Sequence, residues 1–407
     1  MNFNLYTRTI YLSVMGSRAY GTNNEDSDWD YRGVAIAPME CYVGSLYKFD
    51  QIVDSDKGKH VYKHFPKGLL VDSNLDHPDM QIMELSKFAG LAAQCNPSII
   101  EILFSDKSNF VINHTVMNKL LDVRDCFLSK AAKARFCGYA LSQLNRIKLH
   151  RRWILNPITV KPERKDFGLP ERLLIEKDQL GAAEALINRN INEFIEQHQD
   201  FIDQDLNIEI KNFLNRSMKN IWNAINTDIS YPIGKNKNFI STDDALFYEE
   251  GKNIGLSDNF LAVLNAEKRY KSAVKDYEAY QNWLKTRNPK RAELEKKYGF
   301  DCKHAMQLVR LLRMAREILE TGKVNVLRED AEELKEIRNG KWSFEKIVEF
   351  ANNEDLELND VMKSSKLPTK PDVNKIHELV CNMIFEFNFN SPDDKVINNV
   401  KATILNP

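Results

Sequence analysis

The chain predicts an α+β protein, with a small mixed-sheet head followed by a large all-helical body. Three observations lead there. The first hundred residues carry short β-branched and aromatic runs punctuated by Gly and Pro. Beyond Asn96 the apolar residues recur at three- and four-residue intervals over long stretches, the period of amphipathic helices. The 407 residues, 43% hydrophobic and 28% charged with a formal charge of −1, have the composition of a globular protein large enough to bury a sizeable core in two or three domains.

Taken in order, Thr9 to Met15 is a buried strand that ends at Gly16. Trp29 to Ile36 alternates bulky and polar residues before Pro38 and is a second strand, and Met80 to Leu85 is a third. Pro97 to Phe104 has the Pro and Ser of a helix start. Helical patterns follow at 112–124, 127–152, 173–197, 205–226, 258–286 and 302–321, with shorter ones at 343–353 and 372–387. Breaks fall at Asn156–Pro170, Tyr231–Asn238 and Ser364–Pro371, the last being a Lys/Ser/Pro-rich linker. The expected domains are a head over 1–110, a helical body lining the cleft over 111–340, and a helical extension over 341–407.

Composition also excludes. Balanced charge argues against a tail-driven nucleic-acid binder, so any charge asymmetry has to be local. The six cysteines form no CxxC pair, which disfavours a sequence-local zinc site and fits reduced core thiols. The eight histidines form no HxH pair. With no run of about 18 apolar residues and no signal-peptide pattern at the start, the expectation is a cytoplasmic protein that meets no membrane.

The informative segment runs from Met15-Gly16-Ser17-Arg18-Ala19-Tyr20-Gly21 to Ser27-Asp28-Trp29-Asp30-Tyr31-Arg32-Gly33. Glycine at the end of a strand lets the backbone approach a ligand closely. A helix starting there would offer unpaired N–H groups to a phosphate. Asp28 and Asp30 are two apart on a strand, so they project from one face. Two such carboxylates repel unless a cation lies between them, and hard oxygen donors suit Mg²⁺, which takes phosphate oxygens as co-ligands. The alternative is a Gly-Ser turn followed by solvated aspartates. Arg18 and Arg32 flank the two elements and suit either a phosphate or a neighbouring carboxylate. No His stands near Ser17 in sequence, which disfavours a serine nucleophile.

This pattern resembles the signature of the DNA polymerase β nucleotidyltransferase superfamily: an apolar strand, Gly-Ser, about ten residues, then Asp-x-Asp on the next strand. Its wording is closer still to the nucleotidyltransferases associated with RNA-repair operons, the RlaP type, a group with phage-encoded members. The resemblance is closest over 10–105, weaker over 130–150 and 300–322, and absent after about 340. It implies a metal-dependent enzyme that moves NMP from an NTP to an acceptor hydroxyl and releases pyrophosphate. Asp28 and Asp30 would hold two Mg²⁺ (or Mn²⁺) ions, and Gly16, Ser17, Arg18 and Arg32 would meet the nucleotide. It also implies a third carboxylate on a neighbouring strand, with Asp79 the candidate, Glu84 the runner-up and Asp76 behind. Some related patterns carry an acid at the position of Gln81. The implied acceptor is an RNA end, a tRNA end among the candidates. Nucleotidylation of a protein and a non-catalytic nucleotide-binding adaptor remain the alternatives.

Two further stretches bear on partners. Cys126 to Pro162 holds no Asp or Glu but contains Lys130, Lys133, Arg135, Arg146, Lys148, Arg151, Arg152 and Lys161. Phe136, Tyr139 and Trp153 interleave with them, which suits nucleic acid or a triphosphate. Lys133, Arg135, Tyr139, Arg146, Arg151 and Arg152 are the expected nucleic-acid contacts, and Tyr139, Gln143 and Arg146 share one helix face. The alternative is a solvated face paired with distant acids. In the 302–321 helix, Lys303 and Arg310 are the candidates to reach a nucleotide phosphate, the alternative being a buried or surface-paired helix. His304 reads as structural.

Overall fold

The computed structural model describes residues 3–25, 27–44, 46–54, 60–70, 78–171, 258–287 and 289–390. The chain divides into two units, residues 1–148 with 294–407, and residues 149–293. The helices expected at 173–197 and 205–226, the break at 231–238, and Asp76 lie outside the described residues.

In the first unit the sheet is mixed, as the sequence predicts, and five of its strands lie among the described residues. They are β1 (Thr9–Met15), β2 (Asp30–Ala35), β3 (Gln51–Val53), β4 (Asp79–Glu84) and β5 (Phe110–Asn113), in spatial order β3-β4-β2-β1-β5. β2 and β4 run parallel, while the other pairs are antiparallel. β1 lies inside the sheet and is buried at all seven residues. Its Tyr11 and Met15 enter one core and its Leu12 and Val14 the other, so both faces of the sheet are covered. Residues 110–113 form a strand where the sequence predicts the start of a helix. Their pairing with β1 overrides the local helical pattern, and the helix begins only at Thr115.

Side-chain caps start several of the helices that flank the sheet, most of them on the Tyr11 side. α1 (Leu5–Arg8) precedes β1, α2 (Gly16–Tyr20) follows it, and α3 (Glu40–Val43) follows β2. α4 (Leu85–Ala93) starts at Glu84, whose side chain accepts from the N–H groups of Ser86 and Lys87. α5 (Pro97–Leu103) starts at Asn96, which accepts from Ser98 N, with Pro97 at the first helical position. α6 (Thr115–Leu121) and α7 (Ala131–Leu155) follow. Phe136, Ala140, Leu144 and Ile147 of α7 are buried in the same core.

The helical body continues, among the described residues, with α8 (Asp258–Thr286) and α9 (Pro289–Tyr298). α10 (Cys302–Thr321) is capped by Asp301 and closed by Gly322 in the left-handed region at φ 68°. α11 (Ala331–Arg338), α12 (Phe344–Ser364) and α13 (Val373–Asn390) complete it. α12 runs eleven residues past the predicted end at 353 and stops at Ser364, where the Pro-rich break begins. Within the second unit, Arg152 pairs with Asp276 of α8 at 2.5 Å and Trp153 Nε1 donates to the same carboxylate at 3.1 Å. No helix among the described residues is long and apolar enough to cross a membrane.

Candidate active site

β1 ends at Met15, and the chain turns at Gly16 with φ 67°, a conformation that glycine adopts without steric cost. The turn is also crowded. A Cβ at Gly16 would lie 2.1 Å from Asp30 Oδ2. Met15 pairs with Asp30 across the β1–β2 ladder, which brings the carboxylate over the glycine backbone. The expected Gly-Ser and Asp-x-Asp elements are therefore in contact through Gly16 and Asp30.

The parallel β2–β4 ladder sets Asp30 beside Asp79, Arg32 beside Gln81 and Val34 beside Met83. Residues two apart on a strand share a face, so Asp30, Arg32, Asp79 and Gln81 all point to one side. Glu84 is the fifth residue beyond Asp79, about 16 Å along the strand. It is buried, caps α4 and accepts from the Tyr42 hydroxyl at 2.6 Å. Of the two acids, Asp79 is the one in register with Asp30.

Arg32 sits among these carboxylates. Its Nη2 lies 2.8 Å from Asp79 Oδ2 and 3.7 Å from Asp30 Oδ1. Its Nη1 donates to the carbonyls of Tyr31 and Asp79, each at 2.9 Å. Asp79 is half exposed, whereas the Asp30 side chain is 23% exposed. Burial pushes the Asp30 carboxyl up to about 6; Asp28 and Asp79 push it the same way, and Arg32 and Lys303 oppose them. Asp30 and Asp79, side by side in register and only partly offset by Arg32, offer carboxylate oxygens of the kind a hard divalent cation takes.

Arg18 is turned toward the loop. Its Nη2 donates to Ser27 O at 2.7 Å and its Nε to Asp28 O at 3.3 Å, and its guanidinium lies 4.0 Å over the Trp29 ring. It thereby fixes the backbone that carries Asp28. Ser17 is half-buried in the first turn of α2, and Asp28 is exposed.

Asp30, Arg32 and Gln81 form one side of a 280 Å³ cavity, together with Gly16 and Tyr20; Ser98, Glu101 and Ile102 of α5 form another. Sequence reasoning missed Tyr20 and Glu101. The Tyr20 hydroxyl donates to Glu101 Oε2 at 2.5 Å, and Arg310 Nη1 lies 2.5 Å from Glu101 Oε1. Burial pushes the Tyr20 hydroxyl far above its ordinary pKa, so it stays a donor. The signal for Glu101 was available: it is the one acid in the otherwise apolar run Ile99 to Leu103, and buried acids are paired.

The remaining predicted residues are distributed differently. Lys303 is near enough to Asp30 to act on its charge, whereas Arg310 is 4% exposed and engaged by Glu101 and Gln307. Arg135, Tyr139 and Arg146 lie on the exposed face of α7. The Tyr139 hydroxyl accepts from Asn96 Nδ2 at 3.1 Å, at the start of the helix whose Ser98 lines the cavity. Lys133 pairs with Asp355 at 3.1 Å, and Arg152 with Asp276. Arg151 is half-buried.

Residues 3–161 match the model of the RlaP family, described as an RNA repair pathway DNA polymerase beta family. No curated protein and no solved structure matches the chain.

Proposed function

We propose, from the premise that residues 3–161 are an RlaP-type nucleotidyltransferase region, that this protein transfers NMP from a nucleoside triphosphate to a hydroxyl at an RNA end. The observation that carries the reading is the junction of Gly16, Asp30 and Asp79, in which one carboxylate rests on the turn and the other stands beside it in register.

Asp28, Asp30 and Asp79 are the residues that would hold Mg²⁺ or Mn²⁺. Bound there, such ions neutralise triphosphate charge and lower the pKa of a coordinated hydroxyl. The chain's own residues do the rest. Gly16 offers backbone without a Cβ to the phosphates. Arg32, already aimed between the acids, supplies a fork-shaped donor for a phosphate oxygen. Arg18 holds the Ser27–Asp28 backbone, so Asp28 is presented from a fixed loop. The acceptor oxygen attacks the α-phosphorus, the bond from that phosphorus to the β-phosphate oxygen breaks, and pyrophosphate leaves. The exposed Arg135–Tyr139–Arg146 face is the surface that suits an RNA strand, through phosphate neutralisation and ring stacking.

The test is label transfer. Purified protein is incubated with each α-labelled NTP and Mg²⁺ or Mn²⁺, with and without total RNA, beside the Asp28→Ala/Asp30→Ala variant. The expected result is label on RNA that the variant loses. Label on protein would move the acceptor to a polypeptide. Nucleotide binding without transfer under any condition would favour a non-catalytic adaptor.

A further inference from the structure

The matched region ends at residue 161, yet the far end of α2, the helix that begins at Gly16, is held from residues far beyond it. We propose that Arg310, acting through Glu101 and Tyr20, is a positioning residue for nucleoside triphosphate binding, and that residues 310–338 complete the nucleotide site. The inference rests on the nucleotidyltransferase reading above.

α2 has five residues, too few to hold its own direction, since isolated helices of a turn or so are unstable. Its start is fixed by β1. Its end is fixed by the body. The backbone N–H of Arg328 donates to Tyr20 O at 3.2 Å, and Arg338 Nη1 donates to Thr22 O at 3.3 Å. Gly21 closes α2 in the left-handed region at φ 74°, and a Cβ there would lie 3.1 Å from Leu327 Cδ1. Three attachments from the segment between α10 and the end of α11 therefore converge on residues 20–22.

Arg310 ties this end to the opposite wall. Its guanidinium carbon lies 3.8 Å from the centre of the Tyr20 ring, and its Nη1 lies 2.5 Å from Glu101 on α5. Gln307 Oε1 accepts from Nε and Nη2, at 3.0 and 2.8 Å. Tyr20 and Glu101 both line the cavity, so the buried triad fixes the spacing between the α2 side and the α5 side. Arg310 also supplies the counter-charge for Glu101. Without it the cavity would turn a second uncompensated carboxylate, besides Asp30, toward a polyanionic substrate.

Removing Arg310 alone would strand a buried carboxylate and damage the fold. The informative variant is Glu101→Gln/Arg310→Met in the full-length protein, which removes both charges, leaves the net charge unchanged and keeps an acceptor for the Tyr20 hydroxyl. ATP, GTP, CTP and UTP, each α-labelled and with Mg²⁺, are titrated against wild type and variant, beside thermal unfolding. Where label transfer is measurable, KM and kcat are separated. The expected result is a thermal midpoint close to wild type, nucleotide Kd and KM raised about tenfold, and kcat within about threefold. Arg338→Ala, which cuts a separate attachment, is expected to raise Kd about threefold with little loss of stability. A double variant that binds nucleotide as wild type does would overturn the inference and leave the nucleotidyltransferase reading standing. Wild type that binds none of the four nucleotides would sink that reading and this inference with it. If the double variant does not fold, Arg338→Ala and Tyr20→Phe decide by the same Kd criterion.

Discussion

Asp30→Asn should stabilise the metal-free protein while destroying its activity. The Asp30 carboxyl is pushed from 3.8 up to about 6, chiefly by burial. Between those values the folded state binds more protons than the unfolded state, so stability falls as pH rises through the window. Above about pH 6 the whole difference is felt. A shift of roughly two units at 1.36 kcal/mol each amounts to about 3 kcal/mol at pH 7. Asn keeps the shape of the side chain and removes the charge, so about 3 kcal/mol is the upper bound of the gain. For a unit of this size each kcal/mol moves the thermal midpoint by about 2–4 °C. The assay is thermal unfolding of both proteins in EDTA at pH 5 and pH 7, then at pH 7 with Mg²⁺. The variant should melt several degrees higher at pH 7, and the gap should shrink at pH 5, where the wild-type carboxyl is protonated. Added Mg²⁺ should raise the wild type and leave the variant unmoved, because only the wild type keeps the ligand. An Asp30→Asn protein that melts lower than wild type, or a gap independent of pH, would refute the account of Asp30 as an under-compensated carboxylate.

Other expectations bear on neighbouring groups. Gly16→Ala forces a side chain into the left-handed region, costing about 1–2 kcal/mol. Because the new methyl would meet Asp30 Oδ2, divalent-ion affinity should fall as well, and a calorimetric Mn²⁺ titration that matches wild type would contradict the crowding. Arg32→Gln should release Asp79 and strengthen Mn²⁺ binding in the absence of nucleotide, while weakening triphosphate binding. Electron paramagnetic resonance of bound Mn²⁺ tests the first half, and a weaker Mn²⁺ site would count against it. Arg135→Ala/Arg146→Ala should leave the KM for nucleotide alone and flatten the salt dependence of RNA binding by about 1.4 in slope, the value for two phosphate contacts on a single strand. An unchanged slope would remove that face of α7 from the RNA path.

Much of the head is legible because its signals are local. The strand before Gly16, the Asp-x-Asp spacing and the Pro-capped helix at 97 each depend on neighbours in sequence. β5 was hidden because Phe110–Asn113 is a strand only through its pairing with β1, about a hundred residues upstream. That Glu101 is a buried acid is legible in its apolar run, but its partner is hidden for the same reason, since Arg310 lies 209 residues downstream. Charge shows the limit most clearly. The run from Cys126 to Pro162 carries eight Lys and Arg and no acid. Yet Lys133 meets Asp355 and Arg152 meets Asp276 in the structure. Local sequence charge is therefore a poor guide to surface charge here, and the exposed basic face of α7 narrows to Arg135 and Arg146 around Tyr139.

The acids around the cavity are compensated in three different degrees. Glu101 is fully buried and is neutralised by Arg310, which is equally buried. Such a pair is fixed, because separating it would strand a charge in a dry interior. Asp79 is half exposed and pairs with Arg32 at a site where water screens both, so that contact is weak and exchangeable. Asp30 is mostly buried, 3.7 Å from the nearest guanidinium nitrogen, and keeps a raised pKa despite Arg32 and Lys303. A protein selected only for stability would have neutralised Asp30 as it neutralised Glu101. Leaving about 3 kcal/mol uncompensated at the one carboxylate that touches the Gly16 turn concentrates the free-energy deficit where a divalent cation and a triphosphate would relieve it. Perturbed groups of this kind gather at functional sites. On the proposed reading the grading would give the three acids different work: Glu101 would hold the walls, Asp79 would exchange Arg32 for a metal ion, and Asp30 would take up the cation it lacks.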